Sequence, residues 1–177
     1  MIRTVSVSLL LLVGPGASAA DREIAWETES AAALRAAAST RRPIFVDVWA
    51  VWCVPCKQLD VTTYRDESVL DAVTAFVPLK IDFDLQTSFV SKYGVGPLPT
   101  LLFLDHEGKE LLRHEGAVSA SLLLSLFQRV SVGYADFSAG IGDSPTPTQV
   151  ESAAIYLERL GAVSRAKTLR KRLKPQR

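Results

Sequence analysis

Residues 44–57 read Ile-Phe-Val-Asp-Val-Trp-Ala-Val-Trp-Cys-Val-Pro-Cys-Lys, and the fold turns on how this stretch is read. Ile44 to Trp49 is almost continuously apolar and β-branched, the pattern of a strand covered on both faces. Asp47 interrupts the run. A carboxylate there is costly to bury unless it has a task, and an ordinary strand-end acid is the plainer alternative. Trp52-Cys53-Val54-Pro55-Cys56 follows directly and opens a helix, with Pro55 in a first turn that needs no N–H. The free amides and positive dipole end of that helix stabilise a thiolate at Cys53. Cys53 is therefore expected as the exposed attacking sulfur. Cys56, one turn along, is the shielded partner, close enough to close a small disulfide ring.

A bare C-x-x-C also occurs in metal sites. Zinc needs four ligands, and the other candidates, His106 and His114, flank an expected hairpin at a spacing that fits no common finger. No metal is assigned, and both histidines read as surface residues. A purely structural bridge between Cys53 and Cys56 is a poor staple, because so short a loop constrains the unfolded chain little. The chain has only 2 cysteines, which excludes a disulfide-rich scaffold. No cofactor is called for.

Working outward, Thr28–Thr40 is an Ala-rich helix stopped by Arg41-Arg42-Pro43. Helices are expected over 57–61 and 67–75, a strand over 77–83, and a helix over 85–93 closed by Gly94. Gly96-Pro97-Leu98-Pro99 is a rigid loop into a strand at 100–105. The turn 106–109 makes residues 110–114 its hairpin partner, and 120–130 is an apolar-faced helix. Strands alternating with helices predict an α/β fold with a mainly parallel sheet, helices on both faces and one antiparallel edge. Residues 133–146, rich in Gly, Ser, Pro and Thr, read as a linker. Beyond it, 148–160 and 162–173 form two helices split at Gly161, within a C-terminal extension over 147–177.

Phe45 to Lys57, followed by Gly94-Val95-Gly96-Pro97-Leu98-Pro99-Thr100, closely resembles the thioredoxin family over about Trp26 to Val132. The early Ala-rich helix, Arg42-Pro43, Cys56-Lys57 and the run Tyr64-Arg65-Asp66-Glu67-Ser68-Val69 look most like the periplasmic C-terminal thioredoxin-like domain of the transmembrane disulfide reductase DsbD. The resemblance implies a thioredoxin fold over 21–132, a central mixed sheet flanked by helices, with a C-terminal helical hairpin outside it. It implies that Pro99 is a cis-proline facing the disulfide and that the Leu98 backbone offers strand-like hydrogen bonds to a substrate peptide. Asp47 matches the family's buried carboxylate, with a raised pKa and proton exchange with Cys56. Trp52, Val54 and Pro55 would border the substrate, while Trp49 reads as core. Val54 replaces a smaller residue that many thioredoxins carry. Lys80 does not align with the family's lysine near the site and is assigned no role.

Residues 1–20 read as a signal peptide: Arg3, an apolar stretch from Val5 to Val13, a Pro15-Gly16 break, and small residues at Ala17-Ser18-Ala19. An uncleaved anchor is the alternative, though the stretch is far short of the roughly 20 residues that span a bilayer. A periplasmic or otherwise exported soluble protein beginning near Asp21 is expected. The whole chain carries 20 Lys and Arg against 19 Asp and Glu, a balance that does not suggest nucleic-acid binding. Charge is nonetheless uneven: residues 21–164 hold a net −7, and residues 165–177 hold +7. That basic tail is a solvated end, a weak contact for anionic lipid, or a partner for acids of the protein itself. The function expected is an exported thiol–disulfide oxidoreductase that reduces disulfides of substrate proteins. It would be recharged by a membrane electron donor of DsbD type. The alternative is a peptide-binding or assembly factor whose helical tail contacts a partner.

Overall fold

The computed structural model describes residues 22–173; the expected signal segment and the last four residues lie outside the described residues. Strand β1 (Ile44–Trp49) is the centre of the molecule, with five of its six residues buried. Its alternation sorts two cores. Ile44, Val46 and Val48 face one layer, with Ala33 and Ala37 of helix α1 (Ser30–Thr40) and Phe89 of α4 (Thr87–Tyr93). Phe45 and Asp47 face the other layer, where α2 (Val54–Val61), α3 (Glu67–Ala72) and α5 (Ala120–Ser131) pack. Phe127 of α5 stacks edge-on against Phe45 at 4.9 Å between centroids, and Phe76 lies 4.8 Å from Phe127.

The sheet order is β2 (Val77–Asp82), β1, β3 (Thr100–Leu104), β4 (Glu110–Glu115). Of the pairings between these four strands, β1–β2 is parallel, and β1–β3 and β3–β4 are antiparallel. The expectation of a mainly parallel sheet is thus corrected, and the length of α4 explains why. Its seven residues rise about 10 Å, half of the roughly 20 Å that a six-residue strand covers. The chain is not carried back to the far edge, so β3 starts where β1 ends, with Thr100 opposite Val48. Gly94, at φ 57°, ends α4 in the left-handed conformation that this tight exit requires.

The reading of 133–146 as a linker is also corrected. Tyr134–Gly140 is a helix, α6, and Tyr134, Phe137 and Ile141 recur at helical spacing and are buried. The glycines that suggested flexibility serve packing. Gly133 caps α6 with φ 79°, and a Cβ on Gly140 would lie 2.2 Å from the Gln149 carbonyl oxygen, so only glycine lets α7 approach. Helix α7 (Pro147–Arg159) starts at a capping box formed by Thr146 and Gln149. Its Tyr156 stacks on Phe137 at 4.6 Å and donates its hydroxyl to the Val130 carbonyl at 2.7 Å. Helix α8 (Val163–Arg170) is tied to the β3–β4 turn by Arg165, which donates to the buried Asp105 carboxylate at 2.5 Å. The extension is therefore three helices sharing the α5-side core, rather than a hairpin on a tether.

His106, expected at the surface, is buried in the same seam, with its Nδ1 3.1 Å from the Tyr134 hydroxyl. Of the basic tail, Arg165 pairs with Asp105, and Arg170 pairs with Glu151 and Glu158. Among the described residues, no helix is long and apolar enough to cross a membrane.

Candidate active site

Cys53 is itself the N-cap of α2. Its Sγ accepts a hydrogen bond from the Cys56 amide at 3.2 Å, and Pro55 sits in the first turn. Cys53 and Cys56 form a disulfide with Cα atoms 5.3 Å apart. The strand delivers the pair to this place: β1 ends at Trp49, and a tight turn with Cys53 N–H on the Ala50 carbonyl starts the helix. Cys53 was expected to be exposed, and in the oxidised state it is not. It is 3% accessible against 1% for Cys56, because Trp49, Ala50, Phe83 and Leu98 close around both sulfurs.

The Leu98–Pro99 peptide bond is cis. Leu98 packs against the disulfide, and the Pro99 carbonyl accepts from Gly116 N–H at 2.8 Å, which pins the loop to the end of β4. The rim is apolar and exposed at Val51, Trp52 and Val54, and Pro55 and Pro97 are exposed as well. Trp52 is fixed despite its exposure: its Nε1 donates to Asp84 at 2.8 Å, and its indole stands edge-on to Phe83. Trp49 is half-buried and packs against the sulfurs as well as against Lys80.

Asp47 is fully buried on the α2 face of the sheet, and neither carboxylate oxygen has a hydrogen-bond partner among the described residues. Burial pushes the Asp47 carboxyl up to about 7. Lys80 opposes this rise, Asp60 adds to it, and Tyr64 opposes it. The Lys80 Nζ lies 3.7 Å from Asp47 Oδ2, is ion-paired to Asp60, and sits 5.1 Å from the Trp49 ring and 5.5 Å from the Trp26 ring. The three residues come from different elements: β1, β2 and α2.

Lys80, Asp60 and Tyr64 were not picked out by sequence reasoning. A signal did exist for two of them. Pro78, Lys80 and Asp82 share one face of β2, opposite the buried Val77, Leu79 and Ile81. Asp60 stands four residues after Cys56, on the same helix face. What composition could not supply is the register that sets Lys80 beside Asp47.

A family model described as a thioredoxin-like domain matches residues 30–131. The chain is 37% identical over 82 residues to the thiol:disulfide interchange protein DsbD of Pseudoalteromonas atlantica, covering 44% of this chain and 14% of that one. It is 31% identical over 91 residues to a thioredoxin of Griffithsia pacifica, covering 51% of this chain and 81% of that one. Among solved structures, a Bacteroides thetaiotaomicron protein provisionally assigned as a disulphide-isomerase superposes with a TM-score of 0.54 at 34% identity, covering 62% of this chain and 93% of that one. The chain thus spans only about a seventh of the length of the DsbD relative.

Proposed function

We propose, from the premise that the chain belongs to the thioredoxin-like family and is a thiol–disulfide oxidoreductase, that it works outside the cytoplasm as a reductase of protein disulfides. The observation that carries this is the Cys53–Cys56 disulfide at the start of α2, packed against Leu98 of the cis-Pro99 loop and overlying the face that buries Asp47.

In the reduced protein the Cys53 thiolate attacks one sulfur of a substrate disulfide. The other sulfur leaves as a thiolate, and a mixed disulfide forms. The Cys56 thiol then passes its proton to the Asp47 carboxylate and attacks the Cys53 sulfur. The Cys53–Cys56 disulfide forms, the Cys53–substrate bond breaks, and the second substrate sulfur leaves with the electron pair. Two electrons have moved from the protein dithiol to the substrate. A donor must then return them, because an exported protein works in an oxidising compartment. The similarity to DsbD supports both the reductive direction and a membrane donor of that type. The substrate strand would lie along the Leu98 backbone, with its flanking side chains on Trp52, Val54 and Pro55. Among the described residues, Lys167 on α8 and Lys171 in the 3₁₀ turn after it are exposed and are the groups by which this part of the tail would touch an anionic surface.

The test is the reduction potential of the pair in a glutathione buffer. A value near the roughly −270 mV of thioredoxin is expected, and one near the roughly −120 mV of a strong oxidant would reverse the direction. Intact mass of the protein recovered from an exporting cell tests the location: a start near Asp21 is expected, and a retained Met1 would refute it.

A further inference from the structure

The exchange described above needs a carboxylate that changes charge inside the fold, and one group facing that carboxylate remains without a task. Tyr64, in the 3₁₀ turn Thr63–Arg65, is buried, and its hydroxyl has no hydrogen-bond partner among the described residues, as is also true of both Asp47 oxygens. The ring is held in place. Trp26 meets it edge-on at 5.3 Å, and Phe45, two residues from Asp47 on the same strand face, meets it at 6.3 Å. The Lys80 Nζ, 3.7 Å from Asp47, is 5.9 Å from the centre of the same ring. Tyr64, Lys80, Asp60 and Trp26 also line one cavity of about 290 Å³, walled on the outside by Glu23 and Arg65.

A buried phenol that lacks a partner, beside a buried carboxylate that lacks one, is a pairing with one evident use. We propose that Tyr64 is a positioning residue for thiol exchange, its hydroxyl turned to the Asp47 carboxylate and holding the ionised form ready to accept the Cys56 proton. The inference rests on the dithiol reading above. The charged or titratable groups that act on Asp47 among the described residues are Lys80 from β2, Asp60 from α2 and Tyr64 from the 3₁₀ turn. From β3 the residue opposite Asp47 is Leu101, which does not titrate. Lys80 is already shared with Asp60, so the phenol is the donor left over for Asp47. A hydrogen bond from the phenol would favour the charged carboxylate, which is the direction the proposal needs.

The experiment is stopped-flow reaction of the fully reduced protein with 5,5′-dithiobis(2-nitrobenzoate). One thiolate is released when Cys53 attacks, and a second when Cys56 resolves the mixed disulfide. The second phase is recorded against pH for the wild type, Tyr64→Phe, Asp47→Asn and the double variant, with the first phase as internal reference. Loss of one hydrogen bond to a carboxylate is expected to move the midpoint of the second phase up by roughly one to two pH units in Tyr64→Phe. No such shift is expected in the Asp47→Asn background. An unmoved midpoint, or the same shift without Asp47, overturns the proposal. Release of a single equivalent overturns the dithiol reading itself, and is told apart by its amplitude. Should Tyr64→Phe fail to fold, 3-fluorotyrosine at position 64, a stronger donor, should move the midpoint down; no movement overturns the proposal.

Discussion

Replacing Asp47 with Asn should remove a pH dependence of stability that the wild type carries. The carboxyl titrates at about 7 in the folded protein, against 3.8 ordinarily, because it is fully buried. Between those two values the folded state holds a proton that the unfolded state has lost. Stability therefore falls as pH rises, and the loss is complete once pH passes the folded pKa. The full span is worth about 4 kcal/mol, and about 3 kcal/mol of it is lost between roughly pH 5 and pH 8.5. Both cysteines are locked in the disulfide, so neither contributes in the oxidised protein. The assay is urea unfolding of oxidised wild type and Asp47→Asn at the two pH values. The wild type should weaken by about 3 kcal/mol more than the variant. Equal pH dependence in the two proteins would mean that Asp47 is ionised throughout, with Lys80 neutralising it fully. A carboxylate whose pKa is not raised would then be too weak a base to take the Cys56 proton.

Cys53→Ala should abolish disulfide reduction, and Cys56→Ala should trap mixed disulfides visible on non-reducing gels; turnover that survives the first change refutes the mechanism. Phe137→Ala should cost about 3–5 kcal/mol in denaturant unfolding, since Phe137 is fully buried under Tyr156. A cost below about 1 kcal/mol would show that α6 is not part of the core. Arg165→Ala strips the charged partner from Asp105, whose side chain is fully buried, and should cost about 2–3 kcal/mol. Its thiol kinetics should match those of the wild type, and a changed rate with Cys53 would contradict the separation of the two ends.

What could be read from the sequence was whatever local chemistry enforces. The β1 run, the N-terminal turn of α2 with Pro55, and the loop to Pro99 each carry a strong local signal, and each stands where it was expected. Strand direction was not legible, because it depends on α4 being too short to return the chain, a comparison of lengths rather than of residue types. Helix α6 was missed for the opposite reason. Gly133, Gly140 and Gly142 outweighed Tyr134, Phe137 and Ile141 in a composition reading, although two of the three glycines meet definite steric demands. Cys53 was misjudged because exposure of a sulfur depends on Phe83 and Leu98, both distant in sequence. Alignment with the family assigns Lys80 no role, yet its place opposite Asp47 follows from the β1–β2 register.

The two ends of β3 divide the molecule's work. Just before the strand begins at Thr100, Leu98 packs on the disulfide; beyond Leu104, about 17 Å away for five residues, the Asp105–Lys109 turn receives Arg165 and the Tyr134 hydroxyl. The C-terminal helices are therefore fastened at the end remote from the chemistry, and they leave the apolar rim of Val51, Trp52 and Val54 open. They do so by burying Phe137 and Leu157 in the core shared with Phe127, so removing them exposes that core and unfolding masks any loss of a partner. A partner surface on these helices has to be sought at side chains the core does not use, such as Ile155 on α7, which is 56% exposed. A change there that weakens binding while stability and thiol exchange hold would separate recognition from catalysis in a way that no truncation can.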